Sequence, residues 1–185
     1  MCCGTCESWI HKGSQMVNPD QILKLFQDNF EVAHGNVVVN DQGIVDVYHR
    51  PKSPRCVVYL TKQLTDGVLP VAFGSVEGTF DASRNNVKTL KNFPKVITGN
   101  LYTEGNRNLR QFYDFDIQQI DGIWYTDYRQ SQHLLKMLVA PKIQLTDAPR
   151  AVNDILNTHA GKGRVGALKA AVELVKAGYK ENAKW

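Results

Sequence analysis

The sequence has no apolar run near the roughly 18 residues that a membrane-spanning helix needs, so no such span is expected. Its first residues, Met1 to Lys12, lack the apolar core of a secretory signal, and the expected location is the cytoplasm. Cysteine is scarce and poorly placed for a disulfide framework. Cys2, Cys3 and Cys6 crowd one end and Cys56 stands alone in an apolar stretch, a usage that fits a reducing compartment. Catalytic phrases are missing too. No serine or cysteine nucleophile motif occurs, and His11, His34, His49, His133 and His159 are scattered, none at ligand spacing from another.

The chemistry that is present is thin. Cys3 and Cys6 have the spacing of a zinc hook with His11 nearby, but a closed tetrahedral site needs a fourth ligand. Cys2 could supply it only as a strained neighbour, and free thiols packed on a neighbour are the alternative. Asp114 and Asp116 are two apart and could work as an acid–base pair; solvated turn aspartates are the plainer reading. Gly161 to Gly166 matches G-x-G-x-x-G literally. A helical pattern precedes it where a dinucleotide fingerprint needs a strand, and G-K-[ST] is absent. A turn between two helices is therefore expected. Any remaining role would be an anion held at the last helix's N-terminus by Lys162 and Arg164. Neither enzyme activity nor a cofactor is expected.

Charge is unevenly placed. Residues 149–185 hold seven basic residues against Asp154, Glu173 and Glu181, and so carry the whole formal charge of +4. Such a segment points weakly to an anionic partner, or simply to a solvated helix face.

What the sequence does have is a phrase written three times, starting at Val76, Ile97 and Ile120. Each copy reads β-branched, polar, glycine, any residue, large apolar, and the glycines are Gly78, Gly99 and Gly122. Cys56 fits the same column, with steps of 22, 21 and 23 residues. A fixed period of about 20–50 residues marks stacked repeats. Each phrase continues into an asparagine position, occupied by Asn85 and Asn106, with Gln63 before and Arg129 after. A side-chain amide there can bond the backbone of the turn that leaves the strand. Leu69-Pro70 and Phe93-Pro94 then cover the other side of the coil. One coil cannot bury its own apolar residues, so the coils must stack.

The flanks read as caps. Asn18-Pro19-Asp20 opens a helix with Leu23, Phe26 and Phe30 on one stripe, and a β-hairpin turns at residues 40–43. Beyond the repeats, Leu134, Leu135 and Leu138 have helical spacing, and another helix follows Thr146 to about Thr158. A last helix carries Val165, Leu168, Val172 and Val175 on one face and ends at Gly178.

Phe80-x-Ala82-x-x-Asn85-x-Val87 is similar to the leucine-rich-repeat phrase L-x-L-x-x-N-x-L. The text from Leu69 to Leu90 resembles, more narrowly, short repeat proteins of tailed bacteriophages, in which LPVxFGxVxGxFxxxxNxLxxL recurs. The ending, from Ala167 through Tyr179 and Asn182 to Trp185, resembles the helical tail that often closes such proteins. The resemblance covers about residues 44–185, and departs at Cys56, at Arg129 and in having only four coils.

The expected fold is an α+β, leucine-rich-repeat-like short solenoid with a parallel sheet. Residues 1–55 would form an arm, helix and hairpin cap, 56–130 the stack, and 131–185 a helical cap. Register then sends Val58, Phe80, Leu101 and Trp124 inward, and Tyr59, Asp81, Tyr102 and Tyr125 outward beside Val57, Thr79, Asn100 and Ile123. Tyrosine is enriched at binding hot spots. Tyr59, Asp81, Tyr102, Tyr125, Asn100 and Ile123 are thus the candidate binding residues. The resemblance implies a non-enzymatic phage protein that binds a host or phage protein, a host defence factor among the targets, in the infected bacterial cytoplasm. The alternatives are a virion component or homo-oligomer, and nucleic-acid binding through the basic C-terminal helices. No membrane partner is expected.

Overall fold

The computed structural model describes residues 18–109, 115–129 and 132–184. Cys2, Cys3, Cys6 and His11, and Asp114 of the aspartate pair, lie outside that range. Among the described residues no helix is long and apolar enough to cross a membrane.

Helix α1 (Pro19–Asn29) starts as its sequence dictates. The Asn18 side chain accepts a hydrogen bond from the Asp20 amide, and proline takes the first helical position. Phe30, expected as the last member of the helical stripe, is instead extended and begins strand β1 (Phe30–Ala33). Its ring still stacks on Phe26 at 5.1 Å, so the stripe survives although the helix does not. The hairpin forms as read. Strands β2 (Gly35–Val39) and β3 (Ile44–His49) pair antiparallel, and Asn40 accepts the amides of Gln42 and Ile44 across the turn.

From β3 onward the chain winds as a β-solenoid of about four turns, with most of its strands parallel. The remaining strands are β4 (Val57–Leu60), β5 (Ala72–Val76), β6 (Thr79–Asp81), β7 (Val96–Ile97), β8 (Leu101–Tyr102), β9 (Gln119–Ile120), β10 (Ile123–Asp127) and β11 (Lys142–Thr146). They form two sheets where one was expected. The first runs β1-β4-β6-β8-β10-β11 and the second β2-β3-β5-β7-β9. The repeated phrase is therefore a corner: Val76 ends a strand of the second sheet, Gly78 turns, and Thr79 begins a strand of the first.

Close stacking explains the glycines. The Gly99 amide donates to the Gly78 carbonyl at 2.8 Å, and the Gly122 amide to the Gly99 carbonyl at 3.0 Å. A Cβ added to Gly99 would lie 2.7 Å from Gly78 backbone atoms, and one added to Gly122 would lie 2.5 Å from the Gly99 carbonyl oxygen. Cys56 can occupy this column because the element beneath it gives way. A Cβ on Gly35 would meet the Cys56 sulfur at 2.6 Å, so the missing side chain of Gly35 makes room for the thiol. Burial, and then the Glu77 carboxylate, push that thiol's pKa up, so it is an inert packing group.

The core is the inward column read from the register. Val58, Phe80, Leu101, Trp124 and Ile143 are paired neighbours across the first sheet and are essentially fully buried. Each such side chain contributes about 1.5–3 kcal/mol by leaving water. An edge-to-face series of rings, Phe30 on Phe73 (5.2 Å), Phe73 on Phe80 (5.0 Å) and Phe80 on Phe93 (5.4 Å), ties both sheets together.

β3 is already the first parallel partner of β5, and β11, placed in the helical cap by sequence, is the last strand of the first sheet. A 3₁₀ helix (Leu134–Val139) precedes β11, and helices α2 (Arg150–His159) and α3 (Gly163–Lys176) follow it. α2 covers the open edge of β11. Asn157 bonds both the amide and the carbonyl of Ile143, at 2.9 and 2.8 Å, and Asn153 does the same for Leu145 at 3.2 and 3.3 Å. An open strand edge is a template for aggregation, and these two amides occupy it. Val165, Leu168, Val172 and Val175 of α3 do share a face, but that face points to solvent, 53–64% exposed. The cap is built instead by Gly166, Ala167, Ala170 and Leu174.

Gly99→Ala should destabilise the protein by about 1–3 kcal/mol, the usual cost of forcing extra atoms into close packing. Urea unfolding checks this, and the midpoint should fall with little change in slope.

Candidate functional site

The first sheet's outer surface follows from period-2 alternation. With the inward column fixed, the flanking residues must face away. The paired neighbours are Glu31, Tyr59, Asp81, Tyr102, Tyr125 and Gln144, one from each strand. Tyr59, Asp81, Tyr102 and Tyr125 thus stand in one row, as the sequence register implies. Glu31 and Gln144 extend it at either end. They were missed because β1 and β11 were not read as strands.

Within the row the side chains do different work. Tyr102 and Tyr125 stack face to face, with centroids 4.5 Å apart and planes 3° from parallel. Tyr59 is 40% exposed. Asp81 turns back on its own strand exit, accepting from the Ser83 amide at 2.9 Å and hydroxyl at 2.6 Å. Asn100 is a brace. Its Nδ2 donates to the Tyr102 hydroxyl at 3.2 Å, and its Oδ1 accepts the Ile123 amide at 2.9 Å. It holds the Tyr102 ring and stitches one coil to the next. Ile123 lies partly buried beside it.

Carboxylates border the tyrosines on the strand-exit side. Glu104 accepts from the Thr146 hydroxyl at 2.8 Å, and Asp127 accepts the Gly105 amide at 2.8 Å. With Asp81 and Glu31 they give the face an aromatic centre and an acidic margin, in which Asp127 is matched by Arg129 at 3.6 Å. Burial raises the Tyr125 pKa above its ordinary value, and the neighbouring Tyr102 phenol adds to the shift. Tyr128, between β10 and the C-terminal tail, is raised by burial and then by Tyr179. Its hydroxyl donates to Asn182 at 2.9 Å.

The other sequence candidates lie elsewhere. Lys162 closes the turn between α2 and α3, donating its ammonium to the Thr158 carbonyl, while Arg164 stands exposed on the first turn of α3. His49 meets the Pro54 carbonyl at 3.0 Å, and His159 is buried with its Nε2 at 2.9 Å from Glu173. Asp116 pairs with Lys95 at 3.2 Å on the surface. Among the described residues no group of three or more His, Cys, Asp or Glu could hold a metal ion. No family model, no curated protein and no solved structure matches this chain.

The raised phenols set an alkaline limit. A group whose folded pKa lies above its unfolded value favours the protonated folded state. That stabilisation is complete below about pH 10, the unfolded value, and is lost as pH climbs through the folded one. Absorbance titration at the tyrosinate band should show a late fraction, from Tyr125 and Tyr128, ionising above the ordinary phenol value. Tyr102→Ala should bring Tyr125 back toward its ordinary value; an unchanged late fraction would contradict the coupling.

Proposed function

We propose that this chain is a non-enzymatic protein-binding module that takes its partner on the outer face of the first sheet. The observation that carries the reading is the pre-stacked Tyr102–Tyr125 pair, held by Asn100 in a row with Tyr59 and Asp81. A side chain fixed before binding loses little rotamer freedom on binding, and rigid tyrosines supply large contact area at low entropic cost. The acidic margin favours a partner whose complementary surface is basic with apolar projections. The repeat phrases support placing the chain with the leucine-rich-repeat-like proteins of tailed bacteriophages. On that reading it acts in the infected bacterial cell on a host or phage protein, a host defence component among the candidates.

A pull-down from bacterial lysate with the full chain tests this, against a Tyr102→Ala, Tyr125→Ala double variant. Both rings are partly exposed, so the variant should keep the wild-type circular dichroism spectrum. It should lose affinity for the captured protein by at least tenfold, since hot-spot residues cost about 2 kcal/mol or more each. Retention equal to wild type would remove the strand face from the interaction.

A further inference from the structure

A second surface lies on α3, and it is independent of the strand face. The helix has two opposed faces. The inner one, Gly166, Ala167, Ala170 and Leu174, is buried in the C-terminal cap. The outer one displays Val165, Leu168, Val172 and Val175, each more than half exposed. Their spacing of three, four and three residues is that of alternating a and d positions in a heptad, with Val165 and Val172 at a and Leu168 and Val175 at d. Four large apolar side chains on the water side of a short helix are not needed for folding, because small residues already fill the inner face. A contiguous exposed patch of this kind marks an interaction site.

The flanks identify the occupant. Lys169 and Lys176 fall at consecutive e positions and Arg164 falls at g; all are exposed. Glu173 lies away from the seam and is engaged by His159 at 2.9 Å. Pairing α3 with a second α3 would bring these lysines together in the antiparallel arrangement, and Lys against Arg in the parallel one. Like charges across e and g disfavour such pairs. A helix carrying Asp or Glu at those positions would meet every one of them with opposite charge. The seam is narrow and lacks aromatic residues, whereas helices that lie on membranes present a broader face with Trp, Phe and Leu. Beside the seam, between the 3₁₀ helix and α3, runs a groove of about 580 Å³ lined by Leu135, Leu138, Val139 and Leu168, with Lys136 and Arg164 also on its walls. It offers a seat for one larger apolar side chain of the incoming helix.

We propose that the outer face of α3 docks an amphipathic helix of another protein whose apolar seam is flanked by acidic residues. The test uses the full chain and two labelled synthetic peptides of about three heptads, both with Leu at a and d, one with Glu and one with Lys at e and g. Fluorescence anisotropy should show binding of the Glu peptide, weakened at least tenfold by Val172→Glu and falling with added salt. The double variant Lys169→Glu, Lys176→Glu should exchange the preference and take the Lys peptide. Both variants change exposed residues, and circular dichroism should show the fold unchanged. Equal binding of the two peptides to wild type would overturn the proposal. So would wild-type self-association in sedimentation that Val172→Glu abolishes, or binding to phosphatidylglycerol vesicles without binding to the Glu peptide.

Discussion

The stack depends on one side-chain amide. An asparagine amide has two donor hydrogens and two acceptor lone pairs, and Asn106 uses all four. Its Nδ2 donates to the Ala82 carbonyl at 2.8 Å and the Thr103 carbonyl at 2.9 Å, while its Oδ1 accepts the amides of Asn85 at 3.1 Å and Val87 at 2.9 Å. Three of those groups belong to the preceding coil. Asn85 reaches back in the same way to the Leu60 carbonyl, 2.7 Å away. Backbone that leaves a strand in a buried bend would otherwise strand polar groups, each costing about 1–3 kcal/mol. The amide satisfies its own turn and the turn below, so register passes from coil to coil. At the last coil Arg129 replaces the asparagine, and Gln132 and Asn182 take over. Gln132 accepts the Arg129 amide at 2.9 Å, and Asn182 donates to the Arg129 carbonyl at 3.2 Å and the Gln132 carbonyl at 3.1 Å.

Much of this was legible in the sequence because its physics is periodic. The glycine column, the asparagine column, the inward row from Val58 to Trp124 and the hairpin all repeat or carry turn chemistry. The second sheet was not legible. β7 and β9 have two residues each, too short for alternation to be seen, and the glycine that marks their exit reads as the start of the next strand. β1 was hidden because Phe30 continues the spacing of α1. β11 was hidden because it lies between a helical pattern and Thr146-Asp147-Ala148-Pro149. The orientation of α3 was lost for another reason. The spacing gives a shared face but not its direction, and Gly166 and its alanine neighbours allow the closer approach; a Cβ on Gly166 would stand 2.6 Å from the His159 carbonyl oxygen.

The candidate surface was readable to the extent that it follows from register. Tyr59, Asp81, Tyr102 and Tyr125 fall in a row once the glycines are aligned. The ring stack and the bracing by Asn100 depend on rotamers that no spacing rule gives. The molecule therefore carries two faces of opposite character. The sheet face has tyrosines with an acidic margin, and the outer face of α3 has aliphatic residues with a basic margin. Their charges would repel different partners, and so let one small scaffold discriminate between them.

Native-state hydrogen exchange on Asn106→Ala tests the claim that side-chain amides set the stack. The stack as described predicts that the Asn85 and Val87 amides, bonded by Asn106 in the wild type, lose more protection than the rest of the stack, on top of a global loss of stability of about 2–4 kcal/mol from the groups left unpaired. Unchanged protection at those two amides would show that packing alone holds the coils in register.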